Sequence, residues 1–424
     1  MQVYLVTFGS RGDVHPLLGL GQALRARGHT ATVLTNPAFA AEVAQAGLGF
    51  VPVGAEQDYL DTISHPKLWH PVDGLGVMWR YLLRPALRPT CEALRALCSG
   101  TGGRPPLVLA SPLAMGARVA QEALGLRLCS TYTSPTLLRS VRDPLTIAQW
   151  QVPRAVPAWA RRAVWRLLDR AKLDPLVRPA LDALRGELGL PRLAPAQGAV
   201  FDRWVHAPLG GLALFPGWFA PTQPDWPVPV QSGAFPLYDE PLSGAPEGDD
   251  DRALHTFLDA GPAPVVFMPG SAQQGTDGFF SAAVATCTQL GLRGVLLGHG
   301  PVLHAQALPD TVWAAPYVPF ARLLQRARAL VHHGGIGTCA QGLRAGLPQL
   351  VWPQAYDQFD NAMRLEQLGT GRRLHGREPD ASAMAQQLGS LLASRAVADA
   401  CRRQAAAVAD GGLQSACAWL EGLA

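Results

Sequence analysis

The residues best suited by type and spacing to do chemistry lie between His332 and Asn361, in the stretch HHGGIGTCAQGLRAGLPQLVWPQAYDQFDN. Gly334, Gly335 and Gly337 make a turn, and Thr338 opens a short helix that Gly346 and Pro348 end. The first N–H groups of a helix lack internal acceptors and carry the positive end of its dipole. A glycine-bounded helix start therefore suits an anion, and a diphosphate can approach closely where no side chain stands in the way. His333, beside the turn, can donate a further hydrogen bond to a phosphate. Beyond it, Asp357 accepts hydroxyl protons while Gln358 both donates and accepts, a pair suited to a polyhydroxylated ligand. A nucleoside diphosphate carrying a sugar would satisfy both halves. His332 reads as strand-end structure, and neither histidine has neighbours at zinc-like spacing.

Two upstream turns could serve the same chemistry. Gly9-Ser10-Arg11-Gly12-Asp13-Val14-His15-Pro16 is a glycine-rich strand-to-helix turn, spaced GxxG and so not a dinucleotide fingerprint. Asp13 either caps the helix that begins near Pro16 or, beside a nucleotide-sugar site, acts as a general base on an acceptor hydroxyl. Pro269-Gly270-Ser271 follows the strand-like Val265–Met268. It is either an ordinary loop or a second phosphate contact through Ser271.

The elements that must position these groups repeat one pattern. A strand over 2–8, a helix from Leu17 to about Arg27 and a strand over 30–35 form a βαβ unit, the start of a doubly wound parallel sheet. Helix 37–46, strand 49–53, helices within 74–98, strand 107–110, helix 113–124, strand 128–131 and strand 212–215 continue it. Residues 135–195 lose the alternation and read as helical. A second α/β unit begins near residue 251, with strands 264–268, 293–297, 311–314 and the apolar runs before His332 and at Leu350–Trp352. Residues 379–423 read as Ala-rich helices. The expected domains are 1–225 and 251–424, joined by a proline-rich linker over 226–250, with tail helices able to pack back on the first.

Composition narrows the class. With 48% hydrophobic and 16% charged residues the chain is globular, and a net charge of +4 over 424 residues argues against a nucleic-acid partner. Seven cysteines without a CxxC pair argue against a disulfide framework and for a reducing cytoplasm. The opening MQVYLVTFG lacks the features of a signal peptide, and no apolar run is long enough to span a bilayer. In the segment Ala158–Leu173, Trp159, Ala163, Val164, Leu167 and Leu168 share a face, and Arg162, Arg166 and Arg170 share the other. That is a packed helix with a solvated basic face, or one that meets an anionic membrane or an acidic acceptor reversibly.

A nicotinamide oxidoreductase is the main rival. Gly335-Ile336-Gly337-Thr338-Cys339-Ala340 fits G-x-G-x-x-A, and Asp357 follows twenty residues after Gly337. However, the strand that should carry the ribose-binding acid ends near Trp352, and such a fingerprint normally opens its domain. A nucleotide-sugar-binding module without activity and an epimerase of the same fold are further alternatives.

Three motifs together resemble the GT-B fold, family 1 glycosyltransferases. They are His333-Gly334-Gly335-Ile336-Gly337-Thr338, then Gly346-Leu347-Pro348, then Pro353 through Asp357-Gln358 to Asn361. The turn Gly9–Pro16 resembles that of the family's antibiotic and sterol branch, where the aspartate at the Asp13 position is the base. The resemblance implies two Rossmann-like doubly wound domains facing a central cleft and an inverting, metal-independent hexosyl transfer without a cofactor. It places the diphosphate on His333, Gly335, Gly337 and Thr338 with Ser271, and the sugar on Asp357 and Gln358. The nucleoside falls to Tyr317, Val318 and Gln341. Gln341 stands where UDP-sugar enzymes carry a ribose-gripping glutamate, which points to a dTDP-sugar. His65–Trp69, the Trp/Arg helix, and Phe215–Pro221 with Asp225-Trp226-Pro227 resemble one subgroup, the rhamnosyltransferases of rhamnolipid biosynthesis. That implies L-rhamnose moving from dTDP-L-rhamnose to a 3-(3-hydroxyalkanoyloxy)alkanoate, with Ser10, His15, Trp69, Trp79 and Trp150 as acceptor contacts. It further implies an acyltransferase partner and peripheral contact with the inner membrane. A sterol- or polyketide-like acceptor with another dTDP- or UDP-sugar is the alternative within the family.

Overall fold

The computed structural model describes residues 1–99, 105–143, 145–147, 150–153, 155–194, 198–239, 249–270, 276–300, 303, 308–376, 378–410 and 412–423. The chain forms two compact units, Met1–Tyr238 with Gly412–Ala424, and Asp239–Gly411. The division therefore falls at Tyr238–Asp239, whereas a linker was expected over 226–250.

The first unit is built on a seven-stranded sheet of β1 (Gln2–Val6), β2 (Thr30–Thr35), β3 (Gly49–Pro52), β4 (Leu107–Ala110), β5 (Arg127–Tyr132), β8 (Gly211–Ala213) and β9 (Val230–Ser232). The order is β3-β2-β1-β4-β5-β8-β9, and every pairing is parallel. The central strands are apolar on both faces because helices cover both. Tyr4, Val6 and Val108 enter one buried cluster, while Val3, Leu5, Leu107 and Leu109 enter the other. The proline-rich stretch thus contributes a strand, β9, at the sheet edge, where prolines on either side cost no ladder bond. Residues 135–195 are also not wholly helical, since β6 (Leu145–Ile147) and β7 (Trp150–Val152) form an antiparallel hairpin.

The helix Gln414–Leu423 belongs to this unit. Ala416, Cys417 and Leu420 are buried in the cluster with Leu5 and Leu24, and Glu421 accepts from Arg27 Nε at 2.7 Å and pairs with His29 Nε2 at 2.8 Å.

The second unit has a six-stranded parallel sheet of β10 (Val265–Met268), β11 (Gly294–Leu297), β12 (Val312–Ala315), β13 (Ala329–His332), β14 (Gln349–Val351) and β15 (Gly371–Arg373). Its order is β12-β11-β10-β13-β14-β15. Numbered from its own first strand this is 3-2-1-4-5-6, the doubly wound order that leaves a crevice outside the carboxyl ends where the winding reverses. In this unit the reversal lies between β10 and β13, and in the first unit between β1 and β4.

Candidate active site

Asp13 sits at the reversal point of the first unit, in the turn that leaves β1. The helix begins at Arg11, earlier than the expected Leu17, because Ser10 caps it. The Ser10 hydroxyl accepts from Gly12 N–H at 3.2 Å, and Asp13 Oδ2 accepts from Ser10 N–H at 2.9 Å, a reciprocal capping box. Asp13 is therefore a cap residue, but with one oxygen only: Oδ1 makes no hydrogen bond among the described residues. Burial pushes the carboxyl up to about 6, against the lowering effect of the Ser10 backbone and hydroxyl. A carboxylate poised there can take a proton near neutral pH.

In the second unit, β10 and β13 run side by side to Met268 and His332, so the loops leaving them emerge together at the reversal point. Gly270, at φ +118°, takes a backbone conformation that side chains avoid, and a Cβ there would stand 3.2 Å from the His333 ring. Gly334, at φ +95°, is held as tightly, since its Cβ would lie 2.7 Å from Val351 Cγ1. These two glycines let the turns close around His333.

His332 is the foundation of that turn. It is fully buried, its Nδ1 accepts from Gly334 N–H at 3.1 Å, and its Nε2 faces Gln349 Oε1 at 3.0 Å. An Nδ1 that accepts and an Nε2 that donates describe one neutral tautomer, and burial, then the neighbouring His333, lower its pKa to about 3. Gln349 also donates to Cys339 O at 3.2 Å, tying the strand to the helix Ile336–Arg344. His333 is half-buried, and burial lowers its pKa to about 4, so it too is neutral and offers one N–H.

Gly335 is the N-cap of the Ile336–Arg344 helix and brings no capping side chain. The first intrahelical bond runs from Cys339 N–H to Gly335 O, so Gly337 and Thr338 stand among the N–H groups that precede it. Open space lies where a Gly337 side chain would be, and the Thr338 side chain is buried. An anion can reach this helix start from the Gly337 side.

Asp357 lies at the start of the Gln358–Gln367 helix. Tyr356 before it has φ +54°, a left-handed conformation unusual for a tyrosine, which turns the chain sharply into Asp357. Asn361, fully buried, donates from Nδ2 to Asp357 Oδ2 at 2.8 Å and to Gly334 O at 2.9 Å. One amide thus couples the carboxylate to the histidine turn. Gln358 is more constrained than its type suggested: its Oε1 accepts from Gln354 N–H at 2.7 Å and Ala355 N–H at 3.1 Å. Its carbonyl already holds the loop, which leaves its amide nitrogen as the group for a hydroxyl.

The remaining candidates divide. Tyr317 is 46% exposed after β12, but Val318 is buried with Leu323 and Leu330, so its side chain is core rather than ligand contact. Gln341 is buried within its helix. Trp79 is likewise core, packed among Leu82, Leu83 and Leu87, because the helical period turns it inward. Trp69 is half-buried, and Trp150 is 59% exposed on the hairpin. Ser10 serves the cap, and His15 meets the Tyr238 ring edge-on at 5.0 Å. Ser271 lies outside the described residues. In the Ala158–Leu168 helix the face expected to pack is exposed, Trp159 and Leu167 by 73% and 70%, as the arginine face also is, and Arg161 turns inward to donate to Val156 O at 2.9 Å. Gln349 and Tyr356 were not singled out from sequence as site-shaping residues, because their roles depend on neighbours brought by other strands or on a local torsion; Gly270 was read only as part of the Ser271 turn.

Two doubly wound units, one with a carboxylate and the other with an anion-ready helix start at the reversal point, define a class of nucleotide-ligand enzymes. Similarity to known proteins gives the family. Residues 3–142 match the model of the glycosyltransferase family 28 N-terminal domain, and 297–414 that of the erythromycin biosynthesis protein CIII-like C-terminal domain. The vancomycin aglycone glucosyltransferase of Amycolatopsis orientalis is 30% identical, with 96% of each chain covered. The O-mycaminosyltylonolide 6-deoxyallosyltransferase of Streptomyces fradiae is 28% identical, over 99% of this chain and 97% of that one. Among solved structures, the glycosyltransferase VinC in complex with dTDP superposes with a TM-score of 0.70 at 20% identity, covering 100% of this chain and 99% of its own. The chain belongs to the antibiotic-type GT-B glycosyltransferases, which use nucleotide sugars.

Proposed function

We propose that the chain is an inverting, metal-independent rhamnosyltransferase that moves L-rhamnose from dTDP-L-rhamnose to the hydroxyl of a 3-(3-hydroxyalkanoyloxy)alkanoate. The observation that carries the catalytic half is the pairing of roles: a carboxylate raised to about 6 in one unit and a neutral histidine beside a bare helix start in the other. Asp13 takes the acceptor's hydroxyl proton as that oxygen bonds to the anomeric carbon. The bond from that carbon to the diphosphate breaks on the opposite face, and the nucleoside diphosphate leaves with the electron pair. The N–H groups of His333, Gly337 and Thr338 meet the charge that develops on the phosphate, with Ser271 assisting. In this reading those donors do for the leaving group what a cation does in other transferases.

The sugar and acceptor rest on the motif resemblance in the middle of the chain and on Gln341, whose neutral amide suits a deoxyribose. Such an amphiphile partitions at membranes, and in this reading an acyltransferase delivers it. An acyltransferase partner and peripheral contact with the cytoplasmic face of the inner membrane therefore belong to this reading. Among the described residues no helix is long and apolar enough to cross a membrane. A second reading is favoured by relatives named for vancomycin aglycone and O-mycaminosyltylonolide as acceptors: another dTDP- or UDP-sugar on a sterol- or polyketide-like acceptor. Incubation with dTDP-rhamnose, dTDP-glucose and UDP-glucose, each with hydroxyacyl lipid or aglycone, separates them by product mass. A rhamnosylated lipid supports the first reading, and product only from an aglycone supports the second.

A further inference from the structure

The first unit holds a cavity of about 1230 Å³ that the catalytic reading does not use. Part of its wall comes from residues 139–141, which follow β5, and 224–227, which follow β8. Both segments continue from the carboxyl ends of parallel strands, the same edge of the sheet from which the Asp13 turn leaves β1. The charges lining it are unequal in their commitments. Asp169 accepts both bonds of Arg139 at 2.8 Å, Asp174 accepts from Arg178 at 2.9 Å, and Asp225 accepts from Ser140 Oγ at 2.7 Å and Val141 N–H at 2.8 Å. Asp202 and Arg203 face each other loosely at 3.9 Å. Arg162, Arg166 and Arg170 are exposed and make no ion pair or hydrogen bond among the described residues. With six arginines against four aspartates the lining carries a surplus of two positive charges, and these three arginines, free of carboxylate partners among the described residues, can each fork onto one. Beside them the wall is apolar, with Trp165, held beneath Arg139 at 4.3 Å, and Trp226 among prolines.

We propose that this cavity binds the acceptor and that the acceptor is an anionic amphiphile, its carboxylate held by Arg162, Arg166 and Arg170 and its apolar body against Trp165 and Trp226. The identity of the bound molecule as acceptor rests on the lipid reading above; the anion site itself does not. Charge and surface agree on this ligand class: a neutral aglycone would leave three arginines without purpose, and a compact anion would leave the tryptophan wall without one.

The test uses the full chain and two probes of equal length, decanoate and decan-1-ol, titrated calorimetrically against wild type and R162Q/R166Q/R170Q. All three arginines are exposed, and matching melting curves would verify that the variant folds. Decanoate is expected to bind wild type and to lose roughly tenfold affinity in the variant, the sum of three modest exposed pairings, while decan-1-ol binding is equal in both. Equal decanoate affinity in the two proteins overturns the proposal, as does decan-1-ol binding wild type as tightly as decanoate. If the variant keeps decanoate affinity but no longer sediments with phosphatidylglycerol vesicles, the arginines serve a membrane surface beside Trp159 and Leu167, and the cavity assignment is wrong. Decanoate binding through the arginines without any glycosylated lipid product would leave the anion site standing and remove only the acceptor named above.

Discussion

The carboxylate of Asp13 stands where a side chain on Gly9 would begin. An ideal Cβ at Gly9 would overlap Asp13 Oδ2 and Cγ, and Gly9 itself has φ +145°, where side chains are strained. Gly9→Ala is therefore expected to displace the base without touching the histidine turn, which belongs to the other unit. Turnover should fall roughly tenfold to a hundredfold while dTDP affinity, measured by calorimetry, stays near wild type. Unchanged turnover would show that the position of Asp13 does not matter to the reaction.

Asp13 must be ionised to act. With its pKa raised to about 6 by burial, kcat/KM should climb as pH rises through about 6 and level off above it. Asp13→Asn should abolish that limb and cut turnover by roughly a hundredfold to ten-thousandfold. The linked effect on stability has a definite sign. The folded carboxyl titrates above its ordinary 3.8, so its contribution is complete below about 3.8 and is lost as pH rises through about 6. At pH 8 the variant should thus melt no lower than wild type. A lower melting temperature there would show that the Ser10 cap outweighs the buried charge.

His333 is neutral throughout the working range, so dTDP affinity should be flat from about pH 5.5 to 8 instead of strengthening on protonation near 6.5. His333→Ala should weaken dTDP roughly tenfold through the lost donor. The two depressed histidines also make the second unit acid-sensitive. Their stabilising contribution is present above the unfolded value of 6.5 and is lost as pH falls toward about 4 for His333 and about 3 for His332. Melting temperature should drop with pH across that window, less steeply in His333→Gln.

Asn361 couples the Asp357 carboxylate to the histidine turn, two parts of the proposed donor site. Asn361→Leu, similar in shape, leaves Gly334 O without that donor and releases Asp357. A destabilisation of about 1–3 kcal/mol is expected in urea unfolding, with a raised KM for the sugar donor and little change for dTDP alone. If KM and stability both hold, the coupling is not needed.

The turns proposed to carry the chemistry stand out in the sequence because their residues are local: glycines, a histidine and an acid within a few positions of a strand end. The doubly wound class followed once those strands were recognised, while the strand order came only from the structure. What escaped was whatever a distant neighbour decides. Gln358 looked like a sugar ligand, yet its carbonyl is turned to the loop at Gln354 and Ala355. Trp79 and Val318 looked available, yet they fill cores whose other walls come from elsewhere in the chain. Trp159 and Leu167 looked packed and are bare, because the inward face of their helix was chosen by Arg161 and by Trp165 beneath Arg139.

The helix Gln414–Leu423 closes the core of the unit that begins at residue 1. During synthesis, then, the sheet built from the earliest strands waits for nearly the whole chain. Leu5 and Leu24 have their partner Leu420 only after residues 239–411 have been made, while the second unit, an uninterrupted segment, can consolidate as it emerges. The part of the chain made first is the part completed last, and its open apolar face is the one a nascent-chain chaperone would have to shield.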